Sequence, residues 1–147
     1  MNITTPKRQT WLPIGAALVL ALAAFGSYPS IAAAADVKVT LAGDQEVPAV
    51  KSAGTGTGTI TVGADKSVRG SVKTNGIAGT AAHIHEAPAG KNGPVIVPLE
   101  KDGDTYKVPA NAKLTDAQFA SFKAGNLYVN VHTAAHKDGE LRGQLKP

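Results

Sequence analysis

The side chains best equipped for chemistry in this 147-residue chain are its four histidines, and they fall in two short stretches. His83 and His85 flank one isoleucine in "TAAHIHEAPAGKNGPV", residues 80–95. His132 and His136 lie in "YVNVHTAAHKDGELRG", residues 128–143. On a β-strand, side chains two apart share a face. His83 and His85 are therefore expected on one face, with Ile84 turned into the core. Tyr128, Asn130 and His132 share a face in the same way, with Val129 and Val131 opposite. If the two strands are neighbours, three imidazoles converge on the sheet surface. A His-x-His pair suits a transition metal, because its rings start about 7 Å apart along the strand and can angle toward one ion. His136 follows in a loop, where it either closes the site as a fourth ligand or faces water. The plainer reading is that each strand histidine is half-buried and hydrogen-bonds a carbonyl.

Other polar residues are read against this group. Asn130 sits beside His132 on the same face and is expected to orient that ring. Glu46, in a turn, is either a partner for an imidazole N–H or a plain loop carboxylate, and the loop reading is favoured. Glu86 follows His85 directly, so it is expected to point away into solvent. Glu140 and Arg142 share a strand face and are expected to form an ion pair, worth little if exposed. Tyr128 is expected to cover the sheet edge. No catalytic residue is expected: Ser71 and Ser121 lie in ordinary strand and helix contexts, and no Ser/His/Asp arrangement is supported.

The elements that must position these groups alternate with period two almost throughout. "VKVTL", "GTGTGTITV", "KSVRGSVKT", "AAHIHEA", "PVIVPL", "DTYKVP", "LYVNVHT" and "ELRGQL" read as strands, separated by Gly-, Asn- and Asp-rich breaks such as Asn75-Gly76. One segment differs. "LTDAQFASFKAGN" has Thr115 as N-cap, an acid in the first turn, Lys123 in the last and Gly125 as a stop, so a short helix is expected near residues 115–123. The fold class expected is all-β: an antiparallel Greek-key β-sandwich carrying one short helix.

Lys7 and Arg8 precede an apolar run over residues 11–25, followed by small residues ending in Ala33-Ala34-Ala35. This pattern predicts a signal peptide over residues 1–35 and a single exported domain over 36–147. The expected location is periplasmic or secreted, with no membrane contact beyond the signal peptide. An uncleaved anchor is the less favoured reading, because the run is short and Pro13 and Gly15 interrupt its start. Without Lys7 and Arg8 the formal charge of +4 falls by two. The remaining lysines are scattered, so nucleic acid is not an expected partner. The chain has no cysteine, which excludes thiol chemistry and thiolate-held metals. Copper is the favoured ion, with zinc second, held by imidazole. The alternative is a non-enzymatic extracellular protein–protein interaction module with structural histidines.

Three motifs in order, "LAGDQEVPAV" (41–50), "AAHIHEAPAGKNGPV" (81–95) and "LYVNVHTAAHKDGELRGQL" (127–145), resemble the CHRD domain, the module repeated in chordin and carried by bacteria as a single exported domain. The resemblance covers nearly all of residues 36–147. It implies an immunoglobulin-like or related β-sandwich with a binding or scaffolding role. A weaker similarity is to copper/zinc superoxide dismutase, in which His83, His85 and His132 would stand for copper ligands and Arg142 for an anion-guiding arginine. Nothing here matches that family's bridging histidine, zinc loop or disulfide, so the likeness implies a single-ion imidazole site and not dismutase activity.

Overall fold

The computed structural model describes Met1 and residues 34–147. The expected signal peptide lies almost wholly outside the described residues. The described residues form nine strands and one α-helix. β1 (Ala35–Leu41), β2 (Thr55–Val62), β3 (Val68–Asn75), β7 (Thr105–Lys107) and β6 (Glu100–Asp102) form one sheet in that spatial order. β5 (Val95–Pro98), β4 (Gly79–Glu86), β8 (Leu127–Thr133) and β9 (Leu141–Leu145) form the other. Every pairing is antiparallel. The chain is an all-β sandwich, as its period predicts. The hairpin of β6 and β7 adds a strand that the sequence pattern does not separate, because Glu100, Lys101 and Asp102 are all exposed and carry no apolar alternation.

Alternation places one apolar face of each sheet in the middle. Val37, Val39, Leu41, Ile60 and Val72 point inward from the first sheet. Ile84, Leu127, Val129, Val131, Leu141 and Leu145 do so from the second. Full burial of such a side chain contributes roughly 1.5–3 kcal/mol, so this core is the main source of stability in a chain without disulfides. The helix α1 (Asp116–Lys123) is capped as expected: Thr115 Oγ1 accepts from the Gln118 N–H at 3.2 Å, and Gln118 Oε1 accepts from the Thr115 N–H at 2.9 Å. Phe122 anchors it in the core, and Gly125 ends it with φ of +74°.

One corner of the sandwich bears directly on the histidines. Ala42, just past β1, exchanges two backbone hydrogen bonds with Arg142 of β9, at 3.0 and 3.1 Å. This approach needs Gly143, where a Cβ would stand 2.5 Å from the Thr40 carbonyl oxygen. The chain then turns through a 3-10 segment, Gly43–Gln45, and carries Glu46 over the outer face of the second sheet.

Candidate metal site on a roofed sheet face

The outer face of the second sheet is polar, yet much of it is buried. His83 and His85 project from β4, Tyr128, Asn130 and His132 from β8, and Arg142 and Gln144 from β9, all opposite the apolar face. Register pairs His83 with Asn130, His85 with Tyr128, Ala81 with His132, and Asn130 with Arg142. Three loops cover this face: residues 43–54, 87–94 and 134–140. Side chains of the sheet hold residues 87–94 and 134–140 down, and residues 43–54 are tied to those two loops through Asn92 and Glu140.

Arg142 is the central clamp and is only 1% exposed. Its Nη2 donates to the carbonyls of Lys91 at 2.7 Å and Pro88 at 3.4 Å, and its Nη1 donates to Asn92 Oδ1 at 3.2 Å. Asn92 Nδ2 passes the connection on to the Val47 carbonyl at 2.7 Å. Gln144 Nε2 donates to the Ala87 and Gly125 carbonyls at 2.9 and 2.8 Å. The guanidinium carbon also lies 3.4 Å from the centre of the Tyr128 ring. From the strand on the other side, His85 stacks on the same ring at 4.8 Å with planes 10° apart. A cation, a phenol and an imidazole thus form one layered stack.

His83, His85 and His132 converge. Each offers one ring nitrogen, and the three nitrogens lie within 4.8 Å of one another, close enough to hold a metal ion. His85 Nδ1 is 2.9 Å from the Gly93 carbonyl, and His132 Nδ1 is 2.8 Å from the Lys137 carbonyl. A carbonyl only accepts, so both Nδ1 atoms carry their hydrogen and both Nε2 atoms are left with lone pairs. His83 Nδ1 stands 2.9 Å from His132 Nε2 and donates to it in the absence of an ion. Nitrogen donors with bonds of about 2.0–2.1 Å fit a zinc or copper ion. Burial, followed by the neighbouring imidazoles His132 and His85, holds the His83 pKa below the usual histidine value. His85 is lowered as well, again chiefly by burial. Both shifts favour the neutral ring, the form a metal requires.

The remaining expected residues fall differently. His136 is outside the converging group. Its N–H donates to Thr133 Oγ1 at 3.1 Å, its carbonyl accepts from Thr133 and Gly139, and the residue lines a cleft with Glu46, Val47 and Pro48. The turn after β8 spends this residue on its backbone and places Lys137, through its carbonyl, against His132 instead. Glu140 and Arg142 do not form the expected ion pair. Glu140 accepts from Ser52 Oγ at 2.7 Å and Thr133 Oγ1 at 2.6 Å, while the Arg142 guanidinium is occupied by loop carbonyls and Tyr128. Glu140 precedes β9, so strict strand alternation does not reach it. The buried guanidinium is likewise unavailable as an anion guide. Glu86 is not free in solvent; it is half-buried and accepts from Ser121 Oγ at 2.5 Å, tying β4 to α1.

Glu46 and Asn130 lie under the roof, 6% and 2% exposed. The Asn130 amide stands between the His85 imidazole and the Glu46 carboxyl. Burial pushes the Glu46 pKa up, opposed in part by the charge of Arg142. Gly139 closes over the pair with φ of +131°; a Cβ there would be 2.3 Å from Glu46 Oε1 and 2.9 Å from Asn130 Nδ2. Sequence reasoning misses the Gly93 and Lys137 carbonyls, the clamp role of Arg142 and the need for Gly139. Of these, only Gly139 leaves a sequence signal, as the glycine of "KDGE".

A two-sheet antiparallel sandwich with a loop-roofed polar face and a histidine trio defines the class. The family model for the CHRD domain matches residues 37–145, and the chain belongs to that family. Comparison with curated proteins and with solved structures found no match. Among the described residues no helix is long and apolar enough to cross a membrane.

Proposed function

We propose that this CHRD domain is exported and binds one transition-metal ion through His83, His85 and His132, with copper favoured over zinc. The observation that carries the reading is the pinning of two rings by main-chain carbonyls, which turns their lone pairs inward toward a third imidazole. An all-imidazole donor set accepts both ions, and the general affinity order places Cu(II) above Zn(II). Export, inferred from the leader pattern of residues 1–35, puts the protein where copper and zinc are met outside a reducing cytosol.

Titration calorimetry of the purified chain tests this. One ion per chain at micromolar or tighter affinity is expected, with Cu(II) tighter than Zn(II). The double variant His83→Ala/His85→Ala should lose binding by two orders of magnitude or more. Full binding in that variant would refute the site.

A second reading, an interaction module with structural histidines, rests on one specific contact. The His83–His132 hydrogen bond already closes part of the trio with no ion present. It predicts no heat with either metal, and a captured partner that is indifferent to chelator.

A further inference from the structure

Three buried polar atoms at the back of the trio have no hydrogen-bond partner among the described residues: His85 Nε2, Asn130 Oδ1 and Glu46 Oε1. Buried polar groups are nearly always hydrogen-bonded, so three left without a partner at one place call for a missing one. Asn130 occupies the centre of the group. It lies directly across from His83, diagonal to His85, and two residues before His132 on the same face. It is almost fully buried, and its amide lies between the His85 imidazole and the Glu46 carboxyl with no hydrogen bond at Oδ1.

The two ends of that amide are not equivalent here. Nδ2 is the end near Gly139 and Glu46, because a single point at the position of a Gly139 Cβ is 2.9 Å from Nδ2 and 2.3 Å from Glu46 Oε1. Nδ2 is thus the end on the side of the Glu46 carboxyl, where an N–H donor matches an acceptor, and Oδ1 is the end left toward His85. His85 Nδ1 already carries its hydrogen for Gly93. Nε2 and Oδ1 therefore both present lone pairs, with no hydrogen to place between them. A cation satisfies both at once, where a proton would have to create a buried imidazolium.

Resting on the metal-binding reading above, we propose that Asn130 Oδ1 is the fourth ligand of the ion held by His83, His85 and His132, and that Glu46 is the positioning residue that decides which end of the amide faces it. Three imidazoles and one amide oxygen complete a four-coordinate site with no position for water, the pattern of a holding site. The oxygen also sets the kind of ion. It suits Zn(II) and Cu(II), whereas Cu(I) is served by the softer donors alone.

The test compares Zn(II) and Cu(I) affinities, using competing chelators, in the full chain and three variants. Asn130→Leu should weaken Zn(II) by roughly ten-fold to a hundred-fold, the size typical of losing such a partner, and leave Cu(I) within about two-fold. Glu46→Leu should weaken Zn(II) similarly, and Glu46→Gln should restore it, since a glutamine oxygen still accepts from Nδ2. Equal losses for both ions, or none, in a folded Asn130→Leu protein would overturn the fourth ligand while leaving the histidine site standing. A crystal structure of zinc-loaded wild type decides the matter without any variant. A Zn–Oδ1 distance of about 2.0–2.2 Å is expected. Nδ2 turned toward His85, or Oδ1 beyond about 3 Å from the ion, overturns the proposal. Wild type that binds neither ion overturns it together with the reading beneath it.

Discussion

The outer faces of the two sheets are built by the same alternation and end in opposite states. On the first sheet, Thr55, Thr57, Thr59 and Thr61 of β2 run between Lys38 and Thr40 of β1 and Arg69, Ser71 and Lys73 of β3, all exposed or half-exposed. Their polar atoms are left to water and to short local contacts such as Thr61 Oγ1 to Asp36 Oδ1 at 2.6 Å. On the second sheet the corresponding positions hold His85, Tyr128, Asn130 and Arg142, and three loops bury them. Polar side chains on a strand therefore say little by themselves. What matters is whether a loop comes down on them, because only then must every donor and acceptor find a partner. The roofed face meets that demand almost everywhere, and the group around His85 is where it does not.

Removing the clamp should break this contrast most strongly. Arg142→Leu leaves the Lys91 and Pro88 carbonyls and Asn92 Oδ1 without their donor and uncovers Tyr128. A loss of about 3 kcal/mol is expected from urea unfolding, within the range for breaking a buried charged network. A loss under about 1 kcal/mol would mean that the roof stands without its arginine.

Acidification should have a smaller effect, and mainly on the roofed face. His83 and His85 have pKa values below the unfolded value of 6.5. Between their folded values and 6.5 the unfolded chain binds more protons, so metal-free stability falls as pH drops below about 6.5. Glu46 acts with the opposite sign: its raised pKa adds stability below the ordinary carboxylate range, and that is lost as pH rises through its folded value. Thermal melts of the metal-free protein should show a lower Tm at pH 5.5 than at pH 7.5, flattened in His83→Ala/His85→Ala. An unchanged slope in that variant would assign the effect to other groups.

The smallest change belongs to the open face. Thr59→Ala should alter stability by no more than about 0.5 kcal/mol, as is usual for a surface position. A cost above about 1 kcal/mol in the same urea assay would show that this face, too, is covered.

Much of the architecture is legible along the chain. Period-two stretches mark most strands, and the Thr115 cap and Gly125 stop mark the helix. The pairing of His83 and His85 on one face needs only local geometry. The exposed hairpin strand Glu100–Asp102 was illegible because it buries nothing, so no alternation marks it. Glu140 shows the limit from another side: pairing it with Arg142 assumes an alternation that begins only one residue later, at Leu141.

The sequence by itself determined the sandwich, the apolar faces and the shared orientation of the histidines on each strand, because strand geometry repeats every two residues and requires no distant information. The tertiary structure alone decided that β4 and β8 are neighbours, bringing His132 to His83. It also decided which histidines are pinned by Gly93 and Lys137, that Arg142 holds carbonyls in place of Glu140, and that Glu46 arrives beside Asn130. These contacts join loops to strands dozens of residues away. Their partners are main-chain atoms that every residue carries, so residue type leaves no trace of them.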